Sequence, residues 1–140
     1  MEGPDVQDDG MCFACGARNR DGLGLRFEFD GHEVSATVAF PEKFQGYRGI
    51  VHGGLVSTVL DEAMVTLLNR IGELAMTAEL SVRFVSPARV NEPIRVTARL
   101  VQERGRIRKL EAVASREDGT DVARATATCV SMGTYTAPRD

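Results

Sequence analysis

Two hydrophobic periods divide the chain. Between Leu55 and about Ile71 the residues Val56, Val59, Leu60, Ala63, Met64, Leu67 and Ile71 recur at steps of three and four, the spacing of one buried helix face. No other segment keeps this spacing for as long. Before it, Leu23, Leu25, Phe27 and Phe29 alternate with Gly24, Arg26 and Glu28, and Val34, Ala36, Val38 and Phe40 answer them across Asp30-Gly31. That period of two predicts a hairpin of half-buried strands. Pro41 ends the second strand, and a loop through Phe44-Gln45-Gly46-Tyr47-Arg48-Gly49 leads to the helix, whose end is marked by Asn69, Arg70 and Gly72.

Beyond Gly72 the period returns to two and stays there. Met76, Ala78, Leu80, Val82 and Phe84 share one face and alternate with Thr77, Glu79, Ser81 and Arg83. Ile94, Val96, Ala98 and Leu100 mark the next strand; Gln102-Glu103-Arg104-Gly105 turns into another with Leu110, Ala112 and Ala114 on one face; Glu117-Asp118-Gly119-Thr120 is a hairpin turn. The last strand sets Ala123, Ala125, Ala127 and Cys129 on one side, a stripe small enough for a sheet to curl closely around a helix. The predicted fold is α+β: one long central helix wrapped by a curved antiparallel sheet of about six strands, the last four in a meander.

Composition narrows the function classes. A chain of 140 residues is one domain by size, with a polar leader over 1–11 that is expected to be flexible, a domain over 12–133 and a tail over 134–140. A net charge of -3 without a basic block argues against nucleic acid as the partner. No apolar run is long enough to cross a membrane, and the acidic start Met1-Glu2-Gly3-Pro4-Asp5 is opposite in charge to a secretory signal, so a cytoplasmic protein with no membrane partner is expected. Three cysteines, Cys12, Cys15 and Cys129, are an odd count that fits a reducing compartment.

The candidate chemistry lies where the loop enters the helix, from Gly49 to Ala63. His52 and two glycines stand at the helix start, and Asp61 falls at the margin of the apolar stripe while Glu62 points to the far side. An acid at the edge of a buried face is costly unless it is solvated, paired with an arginine, or used. Cys12 and Cys15 form a single C-x-x-C; the other metal-ligand candidates, Cys129, His32 and His52, supply no second pair at metal spacing. Small, buried thiols in a turn are therefore expected there, with no metal and no cofactor.

His52-Gly53-Gly54 followed by Asp61, in this order of elements, resembles the hotdog-fold acyl-CoA thioesterases of the PaaI type. Cys12-Phe13-x-Cys15-Gly16-x-x-Asn19-x-x-Gly22-Leu23 resembles the opening of one branch of that family, and Met76-Thr77-Ala78-Glu79-Leu80 the strand after its helix; the likeness covers about residues 12 to 132. The resemblance implies hydrolysis of an acyl-CoA to the free acid and coenzyme A. It implies Asp61 as general base or nucleophile, a backbone N–H of Gly53 or Gly54 polarising the thioester oxygen, His52 holding the loop and the thioester, and Thr77 positioning water. Many relatives carry an asparagine six residues before the histidine; here that position is Gly46, and Gln45 beside it is the candidate amide. The resemblance also implies a homodimer or homotetramer with the site at the subunit interface, and Arg83, Arg104, Arg106 and Arg108 are the cations at hand for the CoA phosphates. Two alternatives share the fold: an acyl-thioester hydratase or dehydratase using His52 with Asp61 or Glu62, and a non-catalytic acyl-CoA binding module.

Overall fold

In the computed structural model of the protein, which describes residues 5–138, a single α-helix lies in the hollow of a single sheet. The outer ends of the expected leader and tail, 1–4 and 139–140, lie outside the described residues. Helix α1 spans Gly53–Arg70, and its buried residues are Val56, Val59, Leu60, Ala63, Met64, Leu67 and Leu68. This is the predicted stripe with Leu68 in place of Ile71. Ile71 is the C-cap and is 42% exposed, because Gly72, at φ 92°, turns the chain out of the helix before that face can continue.

The strands are β1 (Glu28–Phe29), β2 (Glu33–Val38), β3 (Glu73–Phe84), β4 (Ile94–Arg104), β5 (Ile107–Arg116) and β6 (Asp121–Thr134). All pairings are antiparallel, in the order β1-β2-β4-β5-β6-β3. The expected four-strand meander is therefore corrected: β4, β5 and β6 form one, but β3 lies beyond β6 at the sheet edge and β2 takes the place beside β4. The helix crosses the concave face before β3 begins and delivers the chain to the far edge. Alternation along a strand reports which face is buried and carries no information about which strand lies alongside.

Two strand limits also differ. Of the predicted first strand only Glu28–Phe29 joins the sheet; Leu23 N–H and Leu25 N–H donate instead to the carbonyls of Phe13 and Ala14, at 2.8 and 2.9 Å. Leu25 and Phe27 are buried all the same, so their alternation was a true signal of burial on an extended segment. Gln102, Glu103 and Arg104, read as a turn, continue β4, and the chain reverses at Gly105 and Arg106.

The parity of β3 changes along its length. Its register against β6 shifts between Thr77 and Glu79, so Ala78 is a bulge. Before it Thr77 pairs with Cys129; after it Leu80, Val82 and Phe84 pair with Ala127, Ala125 and Ala123. Those partners are the buried face of β6, so Thr77 faces the helix and Met76, grouped with Leu80 by strict alternation, turns outward at 46% exposure.

The core closes where α1 meets the small residues on the concave face of the sheet. Ala123, Ala125, Ala127 and Cys129 are each at most 4% exposed, and Ala98, Ala112 and Ala114 line the neighbouring strands. No helix among the described residues is long and apolar enough to cross a membrane. Ala127→Leu is expected to cost about 1–3 kcal/mol by overpacking this contact, read by urea unfolding, whereas Ile71→Ala should change stability far less.

Candidate active site

The loop before the helix is fastened at every residue that carries a candidate role. Gln45 and Val51 form an antiparallel bridge, Gly46 N–H donates to Ile50 O at 2.9 Å, and Val51 N–H donates to Ala88 O at 2.8 Å. Gln45 Oε1 accepts from Gly49 N–H at 3.0 Å, so this side chain shapes the loop. His52 N–H donates to Phe44 O at 3.0 Å and His52 becomes the N-cap of α1.

As N-cap, His52 accepts the Gly54 N–H on Nδ1 at 2.9 Å. A neutral imidazole that accepts on Nδ1 carries its proton on Nε2. Leu55 and Val56 N–H both donate to His52 O, at 2.9 and 3.3 Å. The two glycines left open by the sequence are thus distinguished: Gly54 N–H is engaged, while Gly53 N–H has no hydrogen-bond partner among the described residues. A Cβ at Gly53 would stand 3.4 Å from the Phe84 ring, so glycine keeps that N–H approachable. An open apolar hollow of about 350 Å³ adjoins it, lined by Ile50, Gly53, Val56, Phe84, Pro87 and Val122.

Two turns further along α1, the half-buried Asp61 faces the bulged part of β3. Thr77 Oγ1 donates to Asp61 Oδ1 at 2.7 Å and lies 3.8 Å from Cys129 Sγ. Neither an arginine nor a lysine pairs with Asp61 among the described residues, so its partner is a hydroxyl. Burial raises the pKa of Cys129, which keeps this thiol protonated against Asp61. The sequence reading had Cys129 as a small core residue and a metal-ligand candidate; its place beside Thr77 depends on the β3–β6 register, which no local pattern contains.

Glu62 lies on a different face of α1 from Asp61. The far side of the helix, where it was expected, is not open: Glu62 is half-buried beneath the N-terminal turn, with Cys12 Sγ donating at 3.7 and 3.8 Å to its two oxygens. Burial holds its pKa above the ordinary carboxylate value. Burial, and then Glu62 itself, push the Cys15 thiol up as well. The apolar stripe records only the helix face that meets the sheet; residues 12–25 cover a second face.

The four arginines separate. Arg108 is held by Glu73 at 2.9 Å and donates to the carbonyls of Gly105 and Ile107, while Arg106 Nε donates to Ser131 O at 3.1 Å. Arg83 and Arg104 are exposed, without an ion pair among the described residues. A second hollow of about 440 Å³, bounded by Arg83, Glu111 and Arg124, lies on the outer face of the sheet, away from Asp61 and Gly53.

The family profile of the thioesterase superfamily matches residues 48–123, more than half of the chain, from the end of the loop through α1 and β5. The chain belongs to the thioesterase superfamily. This superfamily member has the hotdog fold of E. coli PaaI, from the phenylacetic acid degradation operon, with a TM-score of 0.76 at 18% identity over 81% of this chain and 84% of that one. A hypothetical thioesterase of Streptococcus pneumoniae, solved with coenzyme A, superposes with a TM-score of 0.75 at 17% identity over 80% and 88% of the two chains. An uncharacterized Schizosaccharomyces pombe protein is 32% identical over 63 residues, 44% of this chain; the match spans only 36% of that relative's length.

Removing the cap isolates what His52 does for the helix. His52→Ala should cost about 1 kcal/mol of stability, and His52→Asn, which can still accept the Gly54 N–H, should retain most of it in the same denaturant titration.

Proposed function

We propose that this superfamily member is an acyl-CoA thioesterase, converting an acyl-CoA and water to the free acid and coenzyme A. The observation that carries the reading is the 2.7 Å Thr77–Asp61 hydrogen bond, which leaves the second Asp61 oxygen for a reacting atom. Asp61 either takes a proton from water as that water adds to the thioester carbon, or adds to the carbon itself to give an anhydride that water opens. Thr77 fixes the carboxylate and helps place the water. The developing oxyanion lies on Gly53 N–H, at the positive end of α1. Collapse expels the CoA thiolate, which takes the proton.

Gly53 and Asp61 are eight positions apart, about 12 Å of helix axis. A thioester carbonyl bound near 3 Å from an N–H donor cannot also meet a carboxylate that far away, about 3 Å being the reach required of each. The reaction therefore takes place in a homodimer, with Gly53 from one protomer and Asp61 from the other. The edge position of β3 supports this: it is 12 residues long, and Met76, Leu80 and Phe84 along it are exposed. The hollow beside Gly53 receives the apolar part of the substrate. His52 and Gln45 hold the loop in the shape that presents the Gly53 N–H, and the exposed Arg83 and Arg104 are the cations left for the phosphates.

One relative supports the assignment of the pair. The S. pneumoniae protein has been solved as two variants, an aspartate and a threonine each replaced by alanine, and those two positions are as far apart in sequence as Asp61 and Thr77. The hydratase reading has less support, since Glu62 lies under the cysteine turn and His52 Nδ1 is committed to the helix.

Thiol release from a panel of aryl-, short- and long-chain acyl-CoAs tests the proposal. Asp61→Asn should lower kcat by about 100-fold or more with the fold retained; full activity in that variant would end the proposal. Thr77→Ser should keep most activity and Thr77→Val little. Gly53→Pro removes the N–H at the first helical position, where proline is tolerated, and should be inactive. Mixed with Asp61→Asn and allowed to exchange subunits, it should recover roughly a quarter of wild-type activity, since half the dimers are mixed and each carries one intact site.

A further inference from the structure

A second cluster of reactive side chains lies outside this site, on another face of α1. Residues 10–18 close into a turn in which Gly16 N–H donates to Cys12 O at 2.8 Å and Arg18 N–H to Gly10 O at 2.9 Å. A Cβ at Gly16 would stand 2.4 Å from Cys12 N and 2.5 Å from Gly10 O, so the turn exists only with glycine there. Its consequence is that both cysteines are directed at Glu62. One ligand atom from each of Cys12, Cys15 and Glu62 lies within 4.8 Å of the other two.

The Glu62 carboxylate accepts no N–H and pairs with no lysine or arginine among the described residues; the groups that face it are the two thiols. Asp8 is nearby but occupied, accepting from Gly10 N–H at 3.0 Å and Tyr135 O–H at 2.6 Å. A half-buried carboxylate met only by thiols is poorly compensated, and a cation would relieve all three groups at once. The spacing suits one. In a tetrahedral zinc site, bonds of about 2.3 Å to sulfur and about 2.0 Å to oxygen separate sulfur from oxygen by about 3.5 Å and sulfur from sulfur by about 3.8 Å. Cys12 Sγ already stands 3.7 and 3.8 Å from the two Glu62 oxygens.

We propose that Cys12, Cys15 and Glu62 form a binding site for a thiophilic divalent cation of the zinc class, held by two thiolates and one carboxylate with water in the fourth position. Binding releases one proton from each cysteine to solvent, and the cation gives up hydration water in exchange. The ion pins the N-terminal turn to α1 at the residue next to Asp61, so its role is to brace the helix turn that carries the carboxylate. The C-x-x-C lacks a second pair at metal spacing in the sequence because its third ligand comes from the helix, 50 residues after Cys12.

The test uses the full chain, tag-free, reduced and stripped by a chelator. Titration with Co²⁺ should produce thiolate-to-cobalt charge-transfer bands that saturate at one equivalent and vanish on adding Zn²⁺. Cys12→Ser, Cys15→Ser and Glu62→Gln should each weaken binding by more than about tenfold. Absence of the bands from the intact protein, or undiminished affinity in both serine variants, overturns the site. Should the serine variants fail to fold, alkylation of the intact protein decides: Zn²⁺ must slow modification of Cys12 and Cys15, and unchanged rates at both overturn the proposal.

Discussion

The structure depends on how closely α1 approaches the concave face of the sheet. Ala123, Ala125, Ala127 and Cys129 leave no bulk between sheet and helix, and Ala63 on the helix side is fully buried in turn. Close packing there gains dispersion contacts, and the larger residues Phe40, Leu60, Met64, Leu67 and Leu110 fill the space around it. Because the sheet curls around a single helix, that helix has several covered faces, and each ends up with a different chemical character.

The face toward β3 carries Asp61. Its geometry rests on one irregularity, the bulge at Ala78, which changes which side of β3 looks inward. Were Ala78 paired as an ordinary strand residue, alternation back from Leu80 would present Met76 to the helix in place of Thr77, and an apolar side chain would meet a carboxylate. The bulge thus converts a core position into a hydrogen-bond donor for Asp61, at the cost of one residue's pairing. Glu62, next in sequence and about 100° around the helix, belongs to the N-terminal turn instead. Adjacent acids serve unrelated surroundings because α1 is enclosed from two sides.

The start of the helix and Asp61 are chemically complementary but too distant to serve the same carbonyl from within one chain. One end supplies the uncommitted Gly53 N–H and the helix dipole; the other supplies a carboxylate tied to a threonine. A rigid helix of fixed rise keeps these two halves apart, and an edge strand with exposed apolar residues lies beside the second half.

What the sequence by itself determined was most of what neighbours within a few positions set. The period of three and four located α1 to within two residues, alternation identified the buried faces of β2, β4, β5 and β6, and His52-Gly53-Gly54 with Asp61 marked the candidate site. Tertiary structure alone decided which strands pair, that β3 lies at the edge, that Thr77 rather than Met76 faces inward, which glycine keeps its N–H, and that Glu62 meets Cys12 and Cys15. Local periodicity reports whether a side chain is buried, because burial follows from the direction of a residue on its own element. It does not report what a residue is buried against, since that partner lies at a distance along the chain that only the closure of the sheet around the helix determines.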